Sequence, residues 1–211
     1  MLEQDHYQKL NLKYNPFSFL NRNELLLTTV ERINLTNLAS EIKRNDTCFV
    51  EFIGRKGRGK STLLNLLYTK YLPEATFIPL KTKNFTPILV TEGILIIDSF
   101  QKLSIKNKHH LLNNQKKIIV ASHYSHKILL HQNKSFTKKI NFNTLGVDID
   151  LLEKIVKNKI QLASLDHQKA SPKIPREFLK SLLKKHGNNL REIQLSLYEL
   201  FLHPNKELYE L

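Results

Sequence analysis

The residues with the clearest chemical purpose in this chain lie in a short glycine-rich stretch. Residues 54–61 read GRKGRGKS and match the pattern G-x-x-x-x-G-K-[ST]. Glycines let successive backbone N–H groups turn toward one point, where a following helix also presents its positive end. Because Arg and Lys side chains crowded onto such flexible backbone repel one another, the arrangement needs an anion. The stretch therefore predicts a P-loop that binds a polyphosphate.

Roles for single residues follow from this chemistry. We expect Lys60 to reach the β- and γ-phosphates of ATP and the Ser61 hydroxyl to bind Mg²⁺. Thr62 is placed to contact the α-phosphate region. The other residues of the predicted nucleotide-binding loop are Gly54, Arg55, Lys56, Gly57, Arg58 and Gly59.

A second magnesium anchor is expected at Asp98. This residue ends the apolar run 94–97, as a Walker B aspartate does, where it holds Mg²⁺ through water. The structural alternative is a carboxylate that caps a turn at a strand end. ATPases with this layout usually place a glutamate directly after the aspartate to polarise the attacking water, and here the next residue is Ser99. The sequence therefore predicts slow hydrolysis.

The run IIVASH places Ser122 and His123 at another strand end. P-loop ATPases with a strand inserted between the two motif-bearing strands use a polar residue there to sense the γ-phosphate. We predict this role for Ser122 and His123, and simple capping of the strand is the alternative. Neither NKHH nor NKSF completes the N-K-x-D motif that reads guanine, and the L-S-G-G-Q motif of ABC ATPases is absent.

Alternating strands and helices must position these residues. β-branched and aromatic runs predict strands at residues 47–53, 76–80, 93–99, 116–122 and 136–142. Helices are expected at 60–72 and around 107–114. Strands joined by helical connections predict an α/β domain with a parallel sheet.

From about residue 146 the pattern becomes helical throughout. Three amphipathic faces follow one another without a strand signal, and this predicts a small all-α unit. We therefore expect an N-terminal segment at residues 1–30, a P-loop core at 31–146 and a helical lid at 147–211.

The stretch HGNNLRE (186–192) contains an arginine in an unusual place. Gly187 is expected to end one helix, and Asn189 with Glu192 resembles a capping box that starts the next. Arg191 then falls in a first helical turn, where a cation costs about 0.3–1 kcal/mol. An anion shared by the helix end and the guanidinium would remove the conflict. A solvated arginine on a turn is the alternative.

Taken together, these motifs resemble the AAA+ ATPases, most closely the DnaA and origin-recognition initiators and their transposition-type relatives. The resemblance implies a three-layer P-loop NTPase fold with a C-terminal helical lid. It also implies that Arg191 is the sensor 2 residue at the γ-phosphate. The segment YNPFSFL (14–20) is similar to the one that lines the adenine pocket, which implies nucleotide contacts for Asn15, Pro16 and Phe17.

The family's arginine finger, which acts on a neighbouring subunit, has no counterpart in residues 99–147, because that stretch contains no arginine. Lys127, Lys134 and Lys138 are the candidates to replace it, although lysine lacks the bidentate fork.

Charge is unevenly distributed along the chain. The formal net charge is +14, with 26 Lys and 7 Arg, and codon bias in an AT-rich genome is one explanation. However, nine lysines and five histidines lie between Asp98 and Asp148, and no acidic residue lies among them. This block, Lys102 to Lys139, predicts a weak, sequence-independent contact with nucleic acid.

A single cysteine and the lack of an apolar leader or membrane-spanning run favour a cytoplasmic location without a membrane contact. The interpretation is an ATP- and Mg²⁺-dependent switch with slow hydrolysis that acts on DNA, on a protein partner or as a homo-oligomer. Two alternatives stay open, a small P-loop kinase and an inactive scaffold.

Overall fold

The computed structural model describes residues 2–83, 86–130 and 134–202. Their helices and strands are, in chain order, α1 (Leu2–Lys9), α2 (Arg22–Thr28), α3 (Leu35–Arg44), β1 (Cys48–Ile53), α4 (Lys60–Leu66), β2 (Thr76–Pro79), β3 (Ile94–Asp98), α5 (Ile105–Asn114), β4 (Lys117–Ser122), β5 (Phe136–Asn141), α6 (Ile149–Ala163), α7 (Arg176–His186) and α8 (Leu190–Leu202). A π-helical turn over Leu67–Tyr71 extends α4. Short 3₁₀ turns cover Phe100–Lys102 and Lys127–Leu129.

The chain divides into two compact units. The sheet unit comprises the described residues from Glu31 to Leu145. The helical unit combines those up to Val30 with those from Gly146 onward.

The sheet unit is built on a five-stranded parallel sheet of order β2-β3-β4-β1-β5. All four pairings are parallel, so the α/β fold predicted from the strand pattern is confirmed. β4 lies between β1 and β3, which is the inserted strand expected from the sequence. Because the strands are parallel, their carboxyl ends share one edge, and the residues after β1, β3 and β4 all emerge there.

β1 reads CFVEFI and is buried on both faces, as a central strand requires. One face contributes Phe49 to an apolar core with side chains from β3, α5 and β4, namely Leu95, Ile97, Leu111, Leu112, Ile118 and Val120, and with Phe100 and Leu103 from the turn after β3. The sheet therefore presents a rigid support for the loop that follows β1.

The helical unit has its own core. The predicted amphipathic faces of α6, α7 and α8 turn inward and bury Leu152, Val156, Ile160, Leu179, Leu182, Ile193, Leu197 and Phe201. α6 begins at Asp148, whose carboxylate accepts the Leu151 N–H at 2.7 Å. No helix among the described residues is long and apolar enough to cross a membrane.

The N-terminal segment shares this helical core. Leu12 and Phe17 are buried in it, and the Phe17 ring lies 5.4 Å from that of Phe201. The Lys13 N–H donates to the Ala163 carbonyl at 2.8 Å. Tyr7 of α1 and, after it, Leu10 and Tyr14 pack against this core as partly buried side chains.

The start of α8 differs from the expected capping box. Gly187 ends α7 with φ +55°, and its N–H donates to the Leu183 carbonyl at 2.7 Å. The buried Oδ1 of Asn189, however, accepts no hydrogen bond from a described residue. The Leu190 N–H is bonded to the Asn188 carbonyl in a tight turn, so the Asn189 side chain does not cap the first turn. The capping-box prediction for Asn189 and Glu192 is wrong.

Candidate nucleotide-binding site

The glycine-rich loop joins the end of β1 to the start of α4, the setting that a P-loop requires. Gly54, Gly57 and Gly59 have φ values of +148°, +82° and +85°, which side chains rarely adopt. At Gly54 there is also no room, because a Cβ would lie 3.0 Å from the Phe142 Cβ. The glycines are therefore required by backbone conformation and by a close approach.

Lys60 is the first residue of α4 and is only 8% exposed. Its Nζ donates to the carbonyls of Gly54 at 2.6 Å and Arg55 at 2.9 Å, so the ammonium lies within the loop. Burial of a cation is tolerated here because backbone oxygens solvate it. Ser61 and Thr62 follow in the first turn of α4. The Ser61 side chain is exposed, and its hydroxyl bonds no described residue.

The remaining loop side chains supply positive charge. Arg55 and Lys56 are exposed. Arg58 has a buried Nε and Nη1 that no described residue accepts from. A guanidinium with unsatisfied donors is costly, and an anion in the loop would satisfy it.

Three residues that the sequence analysis missed hold the loop in place. The Arg55 N–H donates to Asn143 Oδ1 at 3.0 Å. The Arg32 guanidinium donates to the Arg58 carbonyl at 2.8 Å and to the Leu145 carbonyl, and it lies over the Phe142 ring at 5.4 Å. The only sequence signal for Arg32 was its rarity in a lysine-rich chain.

Asp98 lies at the end of β3, as expected, with a half-buried side chain. Its carboxylate makes no hydrogen bond or ion pair with a described residue. Ser99 follows with φ +64° and ψ +40°, a left-handed conformation that is uncommon for residues with a side chain. The chain therefore turns sharply directly after Asp98.

Magnesium fits these donors. The Ser61 hydroxyl and the Asp98 carboxylate are the hard oxygen ligands that Mg²⁺ prefers, completed in such sites by water and phosphate. The described residues contain no group of three or more His, Cys, Asp and Glu that could hold a metal, so a site made of protein groups alone is not built here.

Ser122 and His123 lie at the end of β4, next to the loop. The Gly54 N–H donates to the Ser122 carbonyl at 3.2 Å, and the Ser122 hydroxyl is hydrogen-bonded to His126 Nε2 at 2.9 Å. His123 is exposed. Its pKa is lowered by partial burial and then by the positive charges of Lys60, Lys56 and Lys102. These cations create a positive potential at the mouth of the loop.

The other predicted site residues belong to the helical unit. The buried amide of Asn15 donates to the Tyr198 carbonyl at 2.9 Å and accepts the Phe17 N–H at 3.0 Å. Pro16 is buried beside it. Arg191 is exposed in the first turn of α8 and makes no hydrogen bond or ion pair with a described residue. The nucleotide contacts assigned to these residues stay predictions.

The sequence matches no family model and no curated protein. The structure is similar to NtrX from Brucella abortus in complex with ATP, with 15% identity and a TM-score of 0.52 over 85% of this chain and 51% of that one. It is also similar to domain III of the Thermotoga maritima replication initiation protein DnaA, with 16% identity and a TM-score of 0.52 over 88% and 90%. A DNA replication initiation factor gives 18% identity and a TM-score of 0.51 over 88% and 66%.

These structural neighbours are AAA+ ATPases, and the chain has their P-loop fold with C-terminal helices. The resemblance inferred from the sequence is confirmed at the level of the fold. This chain spans about half the length of the NtrX chains and nine-tenths of the DnaA domain.

We expect Arg32→Ala to weaken ATP binding by about tenfold, because two charge-assisted hydrogen bonds that shape the loop are removed. The measurement is the dissociation constant of Mg-ATP by calorimetry, beside the melting temperature. Arg44→Ala is the matched control, because Arg44 pairs with Glu41 on the surface of α3. Wild-type affinity in a folded Arg32→Ala protein would show that the loop keeps its shape without this side chain.

Proposed function

We propose that this chain is an ATP-binding switch of the AAA+ type with a low intrinsic rate of ATP hydrolysis. The observation that carries the proposal is the position of Lys60. Its ammonium is held by two loop carbonyls at the junction of β1 and α4, inside a loop whose glycines adopt positive φ. A phosphate bound there would exchange these carbonyls for its own oxygens and meet a preformed cation.

The surroundings of the loop favour a highly charged anion. Lys56, Lys102 and His123 add positive potential near Lys60. The buried guanidinium atoms of Arg58 are donors without acceptors among the described residues. The α4 N-terminus adds its partial positive charge. A triphosphate has enough negative charge and enough acceptor oxygens to pair with all of these groups at once.

Ser61 and Asp98 are the residues that would hold Mg²⁺. The ion, when bound, neutralises part of the phosphate charge. Both side chains suit this task, since neither is engaged by a described residue and both offer oxygen. The roles implied for Arg191 at the γ-phosphate and for Asn15, Pro16 and Phe17 at the adenine remain part of the proposal.

Slow hydrolysis follows from two features of the sequence and one of the backbone. Ser99 replaces the glutamate that polarises water, and residues 99–147 contain no arginine. The left-handed conformation of Ser99 also turns the chain away from the extended path of β3. Because hydrolysis is slow, nucleotide binding is the proposed working event. The bound nucleotide would control a contact with DNA or with a protein partner.

The basic block presents fewer unengaged ammonium groups than its composition suggests. Four of its lysines donate to backbone carbonyls of the sheet unit: Lys102 to Leu80 and Lys81, Lys108 to Gln101, Lys117 to Lys43, and Lys134 to Gln115. Five exposed lysines remain for a nucleic-acid contact, on α5, before β4, in the turn after β4 and on the edge strand β5, namely Lys106, Lys116, Lys127, Lys138 and Lys139.

The first test is nucleotide binding. Lys60→Ala should weaken Mg-ATP affinity by about tenfold or more, because a charge-assisted contact of roughly 1.5–3 kcal/mol is removed. Lys43→Ala is the control, because Lys43 forms an exposed ion pair with Glu74. Calorimetric titration measures both variants. Equal affinity in wild type and folded Lys60→Ala would refute the assignment of the P-loop.

Turnover by the purified protein should fall well below about 10 per second, a typical enzymatic rate. Phosphate release from Mg-ATP measures it, with Lys60→Ala as the background. Fast turnover by the protein alone would show that another residue polarises the water. Formation of ADP without release of phosphate, seen only when a phosphate acceptor is present, would indicate a kinase.

Replacement of Lys106, Lys116, Lys138 and Lys139 with glutamine should weaken duplex DNA binding and flatten its salt dependence. The log–log slope should fall by about 0.9 for each DNA phosphate that the protein no longer neutralises. The matched control replaces four exposed lysines of the helical unit, Lys154, Lys157, Lys184 and Lys185. A fluorescence anisotropy titration across salt concentrations measures both. If the two variants weaken DNA binding equally, net charge and not this surface is responsible. If the wild type does not bind DNA even at low salt, a protein partner is favoured instead.

A further inference from the structure

A buried carboxylate lies within the apolar central strand of the sheet. Glu51 lies in the middle of β1 and is 1% exposed. The register pairs it with Val120 of β4 and Lys139 of β5. Among the described residues no cation forms an ion pair with it. A carboxyl group in such a place is costly unless hydrogen bonds satisfy it, so its partners show what it does.

Both oxygens of Glu51 bind the turn that follows β4. Oε1 accepts the His126 N–H at 2.5 Å, and Oε2 accepts the Ser125 hydroxyl at 2.6 Å. These donors are 75 and 74 residues away in sequence. Glu51 therefore fastens the turn after β4 to the neighbouring strand.

His126 carries the connection back to the end of β4. The residue is 4% exposed, and its Nε2 lies 2.9 Å from the Ser122 hydroxyl. The ring packs edge-on against Phe100, with centroids 5.0 Å apart, and lies 4.8 Å from the Tyr124 ring. Burial, and to a lesser extent the charge of Lys108, lowers its pKa to about 4, so the imidazole is neutral near pH 7.

One more hydrogen bond connects the end of β4 to the phosphate loop. The Ser122 carbonyl accepts the N–H of Gly54, the first glycine of the loop, at 3.2 Å. A chain of hydrogen-bonded groups thus runs from Glu51 to the turn after β4, through His126 to Ser122, and from there to Gly54. Phe100, which packs on His126, follows Ser99 directly, so the turn after β3 touches the same assembly.

We propose that Glu51 and His126 are positioning residues of the nucleotide site, which hold Ser122 and His123 at the end of β4 against the phosphate loop. The inference rests on the proposed function and on the role predicted from the sequence for Ser122 and His123, which is to sense the γ-phosphate. Glu51 binds Ser125 and His126, and the position of this segment decides where Ser122 and His123 lie.

The test compares ATP and ADP affinity in variants that keep side-chain shape. In Glu51→Gln one terminal oxygen becomes an NH₂ group, so the two hydrogen bonds to the carboxylate become neutral and weaker, and the Ser125 hydroxyl must turn round to accept from the NH₂ group. His126→Phe keeps the aromatic packing and removes the bond to Ser122. We expect each to reduce the preference for ATP over ADP by about fivefold, as the weakening or removal of one or two hydrogen bonds would. ADP affinity should change less, because ADP lacks the γ-phosphate that the end of β4 is predicted to sense.

Val50→Ala is the matched control, because Val50 is fully buried on the same strand and its side chain points to the opposite face. It should lower the melting temperature without a change in the ATP-to-ADP ratio. If Glu51→Gln and His126→Phe also lower only the melting temperature, the role is structural and the proposal is overturned.

Amide hydrogen exchange without nucleotide supplies a second readout. We expect Glu51→Gln to speed exchange at the His126 and Gly54 amides, and Val50→Ala to leave both protected. If the wild type binds neither nucleotide, the proposed function fails on its own and the exchange result still decides whether Glu51 positions the loop. Unchanged protection in Glu51→Gln overturns the inference in either case.

Discussion

Hydrogen bonds to β4 on one side and β5 on the other hold the central strand β1 in register, and its carboxyl end becomes the phosphate loop. The flanking strands also supply the contacts that shape the loop. The carbonyl of Ser122, at the end of β4, accepts the Gly54 N–H. After β5, Phe142 fills the space beside Gly54 and Asn143 accepts the Arg55 N–H. The loop is thus held from both sides by strands that are distant in sequence.

This arrangement places several cations close together around the phosphate loop. The sheet unit places the Lys60 ammonium on loop carbonyls, leaves Arg58 atoms without acceptors among the described residues, and brings Lys56 and Lys102 near His123. Self-repulsion of this kind destabilises the folded state until an anion binds. The cations that lower the stability of the free protein are therefore the same groups that would favour the binding of a polyphosphate.

Local patterns allowed much of the fold to be predicted from the sequence. Apolar runs marked the strands, and the glycine spacing marked the loop, because both depend on neighbouring residues. Contacts between distant residues could not be predicted in this way. Glu51 reads as one polar residue within a strand, and Arg32 as one cation before a helix, until the partners of each are known. The capping box at Asn189 failed for the same reason, since a tight turn and not the local motif decides where that side chain lies.

The lysines of the basic block show why composition alone could not separate solvated charge from structural charge. Lys117 and Lys134 donate to the Lys43 and Gln115 carbonyls, and Lys134 has a pKa lowered by burial. Lysine suits this use because its long apolar stem can be buried while the ammonium reaches a carbonyl. A lysine-rich sequence, whatever its origin, thus supplies side chains that hydrogen-bond backbone carbonyls of the sheet unit as well as exposed charge. An ammonium group that already bonds a carbonyl is less available to a DNA phosphate, so we expect the exposed lysines of the sheet unit, more than the net charge of the chain, to set the strength of any nucleic-acid contact.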